Sequence, residues 1–401
     1  MTRRGRLLID IRSISLVITL VFCGSSLSNA AEKEMSAYKM GGIFSVSGSY
    51  GPHGIGCFRG IEIAADKINE EGGIKVGDRS YVIRLINADA KSDFNVALVQ
   101  ANRLIFNENI NYILGPMMSG ETLAILPVTE ANKTLVFSTS FTPKVLGKDK
   151  KYSFRLMPSG IENANAIFVH LIKNQINVKT IATLGPNDET GWGVAEHEKK
   201  MAEQHGMKVV FEDFFQRGTD DFFPVLTKMM TKNPDLLLAN SIPPHSMGLL
   251  LSQKHQLGYK GLIMSPSYYD PEKLLAKAGV EAVEGLIHQS PDFQGQKASS
   301  GHRELYKRFI TKYKEEILPV SALTYPWLFV IKMAIEKAGT FETTKVVQVL
   351  ENLEGESPFG RFHLGGLKTY GSKHQIVLPT YMSVIEKGKN VGIDPITIEV
   401  P

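Results

Sequence analysis

The chain has 401 residues and a formal charge of +4, a length at which one hydrophobic core usually gives way to two domains. Arg3, Arg4, Arg6, Arg12 and Asp10 all fall in the first thirty residues, so the remainder carries only about +1 and has no basic run or basic–aromatic ladder of the kind that binds nucleic acid. Beyond residue 30 the sole cysteine is Cys57, which excludes an intramolecular disulfide and leaves the fold to its core even in an oxidising compartment.

Residues 1–30 read as a signal peptide. A basic start precedes an apolar run over 14–22, and Ser28-Asn29-Ala30 closes the segment as a small-residue cleavage site. The apolar run is about half of the ~20 residues that a membrane span needs. Cys23 follows the bulky Phe22, where a lipidation site wants a small residue. The expectation is a cleaved export signal and a periplasmic mature protein.

The body then alternates strands and helices. A strand over 40–46 ends in Ser47-Gly48-Ser49. A helix over 54–71 follows, with Ile61, Ala64, Ala65 and Ile68 on one face, and Gly72-Gly73 stops it. Next come a strand at 81–86, a helix at 94–106, a strand at 112–114, a helix at 119–132 and a strand at 135–137. After Pro158 the rhythm resumes: helix 162–174, strand 180–184, helix 193–205, strand 208–211, helix 222–231, strand 236–239, helix 246–257 and strand 262–264. Residues 284–288 lead to amphipathic helices at 301–316 and 322–337 and a third at 343–353. A Gly/Pro-rich stretch at 355–366 precedes a strand pair near 378–386 and 396–400. Such alternation predicts an α/β fold of parallel sheets with helices on both faces and right-handed crossovers. Two series, divided near Met157, predict two doubly wound lobes.

In an open parallel sheet, ligands sit beyond the carboxyl ends of the strands. The loops there are 47–54, 115–122 and 138–143 in the first series, and 187–193, 240–245 and 265–270 in the second. The first three offer hydroxyls, backbone N–H groups and helix starts, which suit an anion such as a carboxylate. The plainer reading makes Ser119, Ser138 and Thr142 helix caps and turn residues. The second three alternate aromatic and polar residues, as the wall of a small-molecule pocket does. His53 stands in a glycine-rich loop at a strand end, either as a ligand contact or as a turn residue.

No G-x-S-x-G, H-E-x-x-H or Walker loop occurs, and the spacing of Gly51, Gly54 and Gly56 is not that of a dinucleotide-binding turn. The ten histidines are scattered, and a lone cysteine with no paired His/Asp spacing predicts no zinc site. Cys57 begins an apolar helix face, where burial makes a thiol inert. The expectation is a protein that is not an enzyme and carries no cofactor.

Several segments in order carry a resemblance: Gly42-x-Phe44-Ser45-x-Ser47-Gly48, Arg59-Gly60-Ile61-Glu62-Ile63-Ala64, Ile68-Asn69-Glu70-Glu71-Gly72-Gly73-Ile74, Leu114-Gly115-Pro116 with Ser119, Ser138-Thr139-Ser140-x-Thr142, and Asp188 with Gly191-Trp192-Gly193. Together they resemble the branched-chain amino acid (leucine/isoleucine/valine) binding proteins of ABC transporters, over nearly the whole mature chain. The resemblance implies a type I periplasmic-binding fold with two lobes, three hinge crossings and a closing cleft. Its lobes would span residues 36–156 with 288–356, and 157–287 with 357–401, with the third hinge near 357–361. It also implies a small-molecule ligand with a carboxylate, delivered by a monomer to the membrane permease and ATPase subunits of an ABC importer.

By position in that family, the ligand carboxylate falls to Ser119, Ser140 and Thr142, with His53 nearby. Thr190, Trp192 and Tyr268 would complete the enclosure. Thr190 stands where an aromatic residue is usual, and Ser267 stands where amino-acid binders carry the acid that pairs with the ligand ammonium. Burying an ammonium without such a partner costs several kcal/mol. The ligand is therefore either an acid without an ammonium, or an amino acid whose charge Asp270 or Glu189 meets. A sensor or regulator of the same fold, feeding a signalling partner, is the rival reading.

Overall fold

The computed structural model describes residues 35–401, and the expected export signal at residues 1–30 lies outside the described residues. The first sheet contains β1 (Ser36–Ile43), β2 (Ile74–Val76), β3 (Arg79–Ala88), β4 (Tyr112–Leu114), β5 (Leu135–Phe137) and β6 (Ser153–Phe154), in the order β2-β3-β1-β4-β5-β6. All its neighbours are parallel except the β2–β3 hairpin, and β1 runs in register with β3 from Ser36↔Tyr81 to Ile43↔Ala88.

The second series supplies β7 (Thr180–Pro186), β8 (Lys208–Phe215), β9 (Leu236–Ala239), β10 (Leu262–Ser265) and β11 (Ile287–His288). The chain then forms a small antiparallel sheet of β12 (Glu354–Ser357), β13 (Gly360–Gly365) and β14 (Gln375–Val377), followed by β15 (Ser383–Glu386) and β16 (Lys389–Gly392). The second sheet runs β16-β15-β11-β10-β9-β7-β8. Strands β4, β5 and β9 are buried at every residue, which is why they read as unbroken apolar runs: helices cover both faces.

Helix Gly51–Glu70 buries Cys57, Ile61, Ala64, Ala65 and Ile68 against the first sheet. Gly54 lets it approach that closely, because a Cβ there would lie 1.9 Å from the Ser45 carbonyl oxygen. The expected helix 322–337 is two pieces, Ser321–Thr324 and Trp327–Ala338. Pro326 breaks it, since proline lacks the N–H and its ring clashes with the preceding turn. The expected helix 94–106 ends as an α-helix at Asn102 and continues as a π-turn over Arg103–Asn107. Residues 396–400 form no strand; Ile396 makes only an isolated bridge to Thr380.

The Gly/Pro-rich stretch holds the hairpin of β12 and β13. Phe362, Leu364 and Ile376 from this small sheet pack in the same core as Met40, Leu114 and Phe137 of the first sheet. Residues 357–377 therefore belong with the first lobe. The third crossing falls near 378–382, ahead of β15, and not near 357–361. Arg155, fully buried at the first crossing, ties these parts together. Its Nε donates to Gln375 Oε1 (2.5 Å), and its Nη1 donates to the carbonyls of Ser140 (3.1 Å) and Thr142 (3.0 Å).

Candidate functional site

The carboxyl ends of the two sheets meet at a cleft with about 540 Å³ of non-atom space, solvent included. The first lobe lines it with Tyr50, His53, Met117, Met118, Ser119, Thr139 and Phe141. The second contributes Thr190, Arg217, Ser241, Ile242, Ser267 and Tyr268, and Leu323 completes the wall.

On the first-lobe side, β4 leads through a short loop into helix Ser119–Ala131, whose opening N–H groups have no intrahelical acceptor. Buried Glu121 fixes this turn: its carboxylate accepts from the Met118 N–H (3.2 Å) and the Ser45 hydroxyl (2.7 Å). The Ser119 hydroxyl accepts from the Thr142 N–H (3.3 Å), which leaves its own proton free to donate. The Phe141 N–H has no acceptor among the described residues. Helix-start amides, a free amide and a hydroxyl make a site for an anion.

On the second-lobe side, Asp188 caps helix Glu189–Gln204 by accepting from the N–H groups of Thr190 (3.0 Å) and Gly191 (3.3 Å). Its other oxygen takes the Nε of Arg217 (2.5 Å). The guanidinium lies 4.6 Å from the centre of the Tyr50 ring, a cation–π contact between the lobes. Arg217 Nη1 is buried without a hydrogen-bond partner among the described residues. The Tyr50 hydroxyl also crosses the cleft, donating to the Ser241 carbonyl (2.6 Å). A further pair, Lys144 with Glu189 at 2.7 Å, bridges the rim. Burial lowers His53 to about 4, with Arg217 adding to the fall and a hydrogen bond to the Tyr268 backbone opposing it. His53 is therefore neutral near pH 7, and Arg217 alone among the described lining residues carries a charge.

Of the residues singled out from the sequence, His53, Ser119, Thr190, Ser267 and Tyr268 stand on this wall. The others do not. Ser140 turns its hydroxyl to Thr122 (2.5 Å), and the Thr142 hydroxyl accepts from the Lys144 N–H (3.4 Å) while lying 3.5 Å from Glu189. Trp192 is half exposed, its indole N–H on Asn187 (3.0 Å). Asp270 caps helix Pro271–Ala278, pairs with Lys273 (3.2 Å) and lines a different groove. Glu189 is held by Lys144. Neither carboxylate considered as an ammonium partner lies on the wall of the cleft.

Sequence reasoning missed Tyr50 and Arg217. Tyr50 sits in the first strand-end loop, where only His53 drew notice. Arg217 follows β8, which runs to Phe215 and not to 211; the strand-end rule would have found it with the right boundary.

Comparison with known proteins agrees with this architecture. Residues 37–390 match the family described as periplasmic binding protein. A relative from Pseudomonas aeruginosa, named the leucine-, isoleucine-, valine-, threonine- and alanine-binding protein, is 26% identical over 364 residues, covering 88% of this chain and 94% of its own. The Streptococcus pneumoniae branched-chain amino acid transporter substrate-binding protein LivJ, solved with isoleucine, superposes with a TM-score of 0.76 at 20% identity, covering 90% of this chain and all of its own. A solute-binding protein of an ABC transporter from Rhodopseudomonas palustris, solved with benzoate, gives 0.74 at 18% identity, covering 90% and 98%. With two doubly wound lobes, a cleft at their strand ends and a family match across its body, the chain belongs to the periplasmic binding protein family.

Proposed function

We propose that this protein is the substrate-binding component of an ABC importer, and that its cleft selects a small carboxylic acid lacking an ammonium group. After export through its cleaved signal it works in the periplasm as a monomer, closing on the ligand and presenting it to the permease and ATPase subunits. The observation that carries the reading is the composition of the wall: among the described residues Ser267 stands there, no carboxylate does, and the one charge is positive. An ammonium would find no ionic partner in such a site. A carboxylate would meet the start of helix Ser119–Ala131, the Ser119 hydroxyl and the Phe141 N–H, and hydrogen bonds to a charged group are the strong ones. The range of ligands named for the relatives, amino acids in one and benzoate in another, supports a fold that accepts either class. Contacts from both lobes then shift the open–closed population toward closure.

The test is a thermal-shift screen of the mature protein, refolded to strip carried-over ligand, against branched-chain and aromatic amino acids and the matching acids without the amino group. A ligand that binds only the folded state raises the melting temperature by mass action. The reading expects stabilisation by the deaminated acids. Stabilisation by amino acids alone would overturn it.

A further inference from the structure

We infer that the cleft takes a ligand with two acidic groups, one at the start of helix Ser119–Ala131 and a second on Arg217. This deepens, and rests on, the carboxylate reading above. Each lobe holds its own anion-binding feature, and the two differ in kind: amides and a hydroxyl on one side, a guanidinium on the other.

Arg217 is built to hold more than its present partner. Asp188 takes only the Nε, and its other oxygen is committed to the start of helix Glu189–Gln204. That helix start draws off part of the Asp188 charge, so the pair leaves a positive field in the cleft. Nη1 has no hydrogen-bond partner among the described residues, so a donor on the cleft wall is open to an incoming acceptor. The ion pair fixes the guanidinium, and the Tyr50 ring supports it at 4.6 Å, so an incoming carboxylate meets an oriented donor. The same wall also carries apolar Met117, Phe141, Ile242 and Leu323. The complementary molecule is an apolar body, aromatic or aliphatic, with an acidic group at each end. Such a ligand joins one lobe to the other, and its second acid contributes only when the lobes are closed.

The experiment is titration calorimetry on the mature chain with matched pairs of probes: a benzenedicarboxylic acid against benzoic acid, and a straight-chain dicarboxylic acid against the monoacid of equal length. Wild type, Arg217→Lys and Arg217→Met are compared by the ratio of diacid to monoacid affinity. The expected ratio in wild type for the better-fitting pair is on the order of 10- to 100-fold, the range of a hydrogen bond to a charged group. It should approach one in Arg217→Met. In Arg217→Lys it should be intermediate, because an ammonium keeps the charge but loses the fork of donors. If Arg217→Met does not fold, as judged by its ligand-free melting temperature, the lysine variant carries the test. A ratio near one for both pairs in wild type, or a ratio unchanged in the folded variants, overturns the second acidic site while the carboxylate reading stands. Binding of neutral amino acids with no binding of any acid overturns both.

Discussion

Replacing Tyr50 by Phe would show how much of lobe closure one hydrogen bond supplies. The Tyr50 ring is buried under Arg217, and only its hydroxyl reaches the Ser241 carbonyl, at 2.6 Å across the cleft. Phenylalanine keeps the ring and its cation–π contact and removes that bond alone. A neutral hydrogen bond contributes a net ~0.5–1.5 kcal/mol, and a carbonyl left buried without a partner costs about 1–3 kcal/mol. In the open form the Ser241 carbonyl can turn to water, so the loss falls on the closed form. The expected shift of the open–closed equilibrium is about 1–3 kcal/mol, or roughly 5- to 150-fold. Small-angle scattering of the ligand-free protein should report a larger radius of gyration for Tyr50→Phe. Calorimetry with the acid that most stabilises the wild type should report weaker binding, by up to the same factor, because closure must now be supplied by the ligand. An unchanged radius together with affinity within twofold of wild type would refute the argument that this bond is a latch.

Three further outcomes follow from particular side chains. Ser267→Glu places a carboxylate on the cleft wall, and like-charge repulsion should weaken binding of any carboxylic acid by at least about tenfold in calorimetry; undiminished affinity would remove Ser267 from the site. Burial raises Glu198 to about 7, against hydrogen bonds from Thr183 and Asn240. A folded-state pKa above the unfolded value of 4.5 gives stability that is present below about pH 4.5 and lost as pH rises through 7. Glu198→Gln, which mimics the protonated acid, should therefore be more stable than wild type at pH 8, by on the order of 1–3 kcal/mol, and no more stable at pH 4.5; melting temperatures that differ equally at both pH values would contradict this. Gly54→Ala forces a Cβ to 1.9 Å from the Ser45 carbonyl oxygen, a backbone clash that should lower stability in urea unfolding by about 1–3 kcal/mol or more, and a midpoint equal to wild type would show that the helix can move away freely.

How legible this molecule is from its sequence depended on how many faces of each element are covered. The strands at 112–114, 135–137 and 236–239 were read to the residue, because burial on both faces leaves an unbroken apolar run between turns. The small sheet went unread, since Glu354–Ser357 is half exposed and its hairpin is built on glycine and proline. Within the site, the strand-end rule located the loops but could not orient the side chains. Ser140, Thr142 and Trp192 are drawn off the cleft by Thr122, Glu189 with the Lys144 amide, and Asn187, all competitors fixed by the folded loops and helix starts. Arg217 was hidden for a different reason. The expected strand over 208–211 stops short of Glu212 and Asp213, yet β8 lies at the edge of its sheet, where charges are tolerated and guard against unwanted pairing. The strand continues through them to Phe215, and Arg217, two residues further on, is the one charged side chain among the described residues of the cleft wall. A rule that places ligands at strand ends is thus weakest at an edge strand, where the pattern that marks the end is also the pattern that protects the edge.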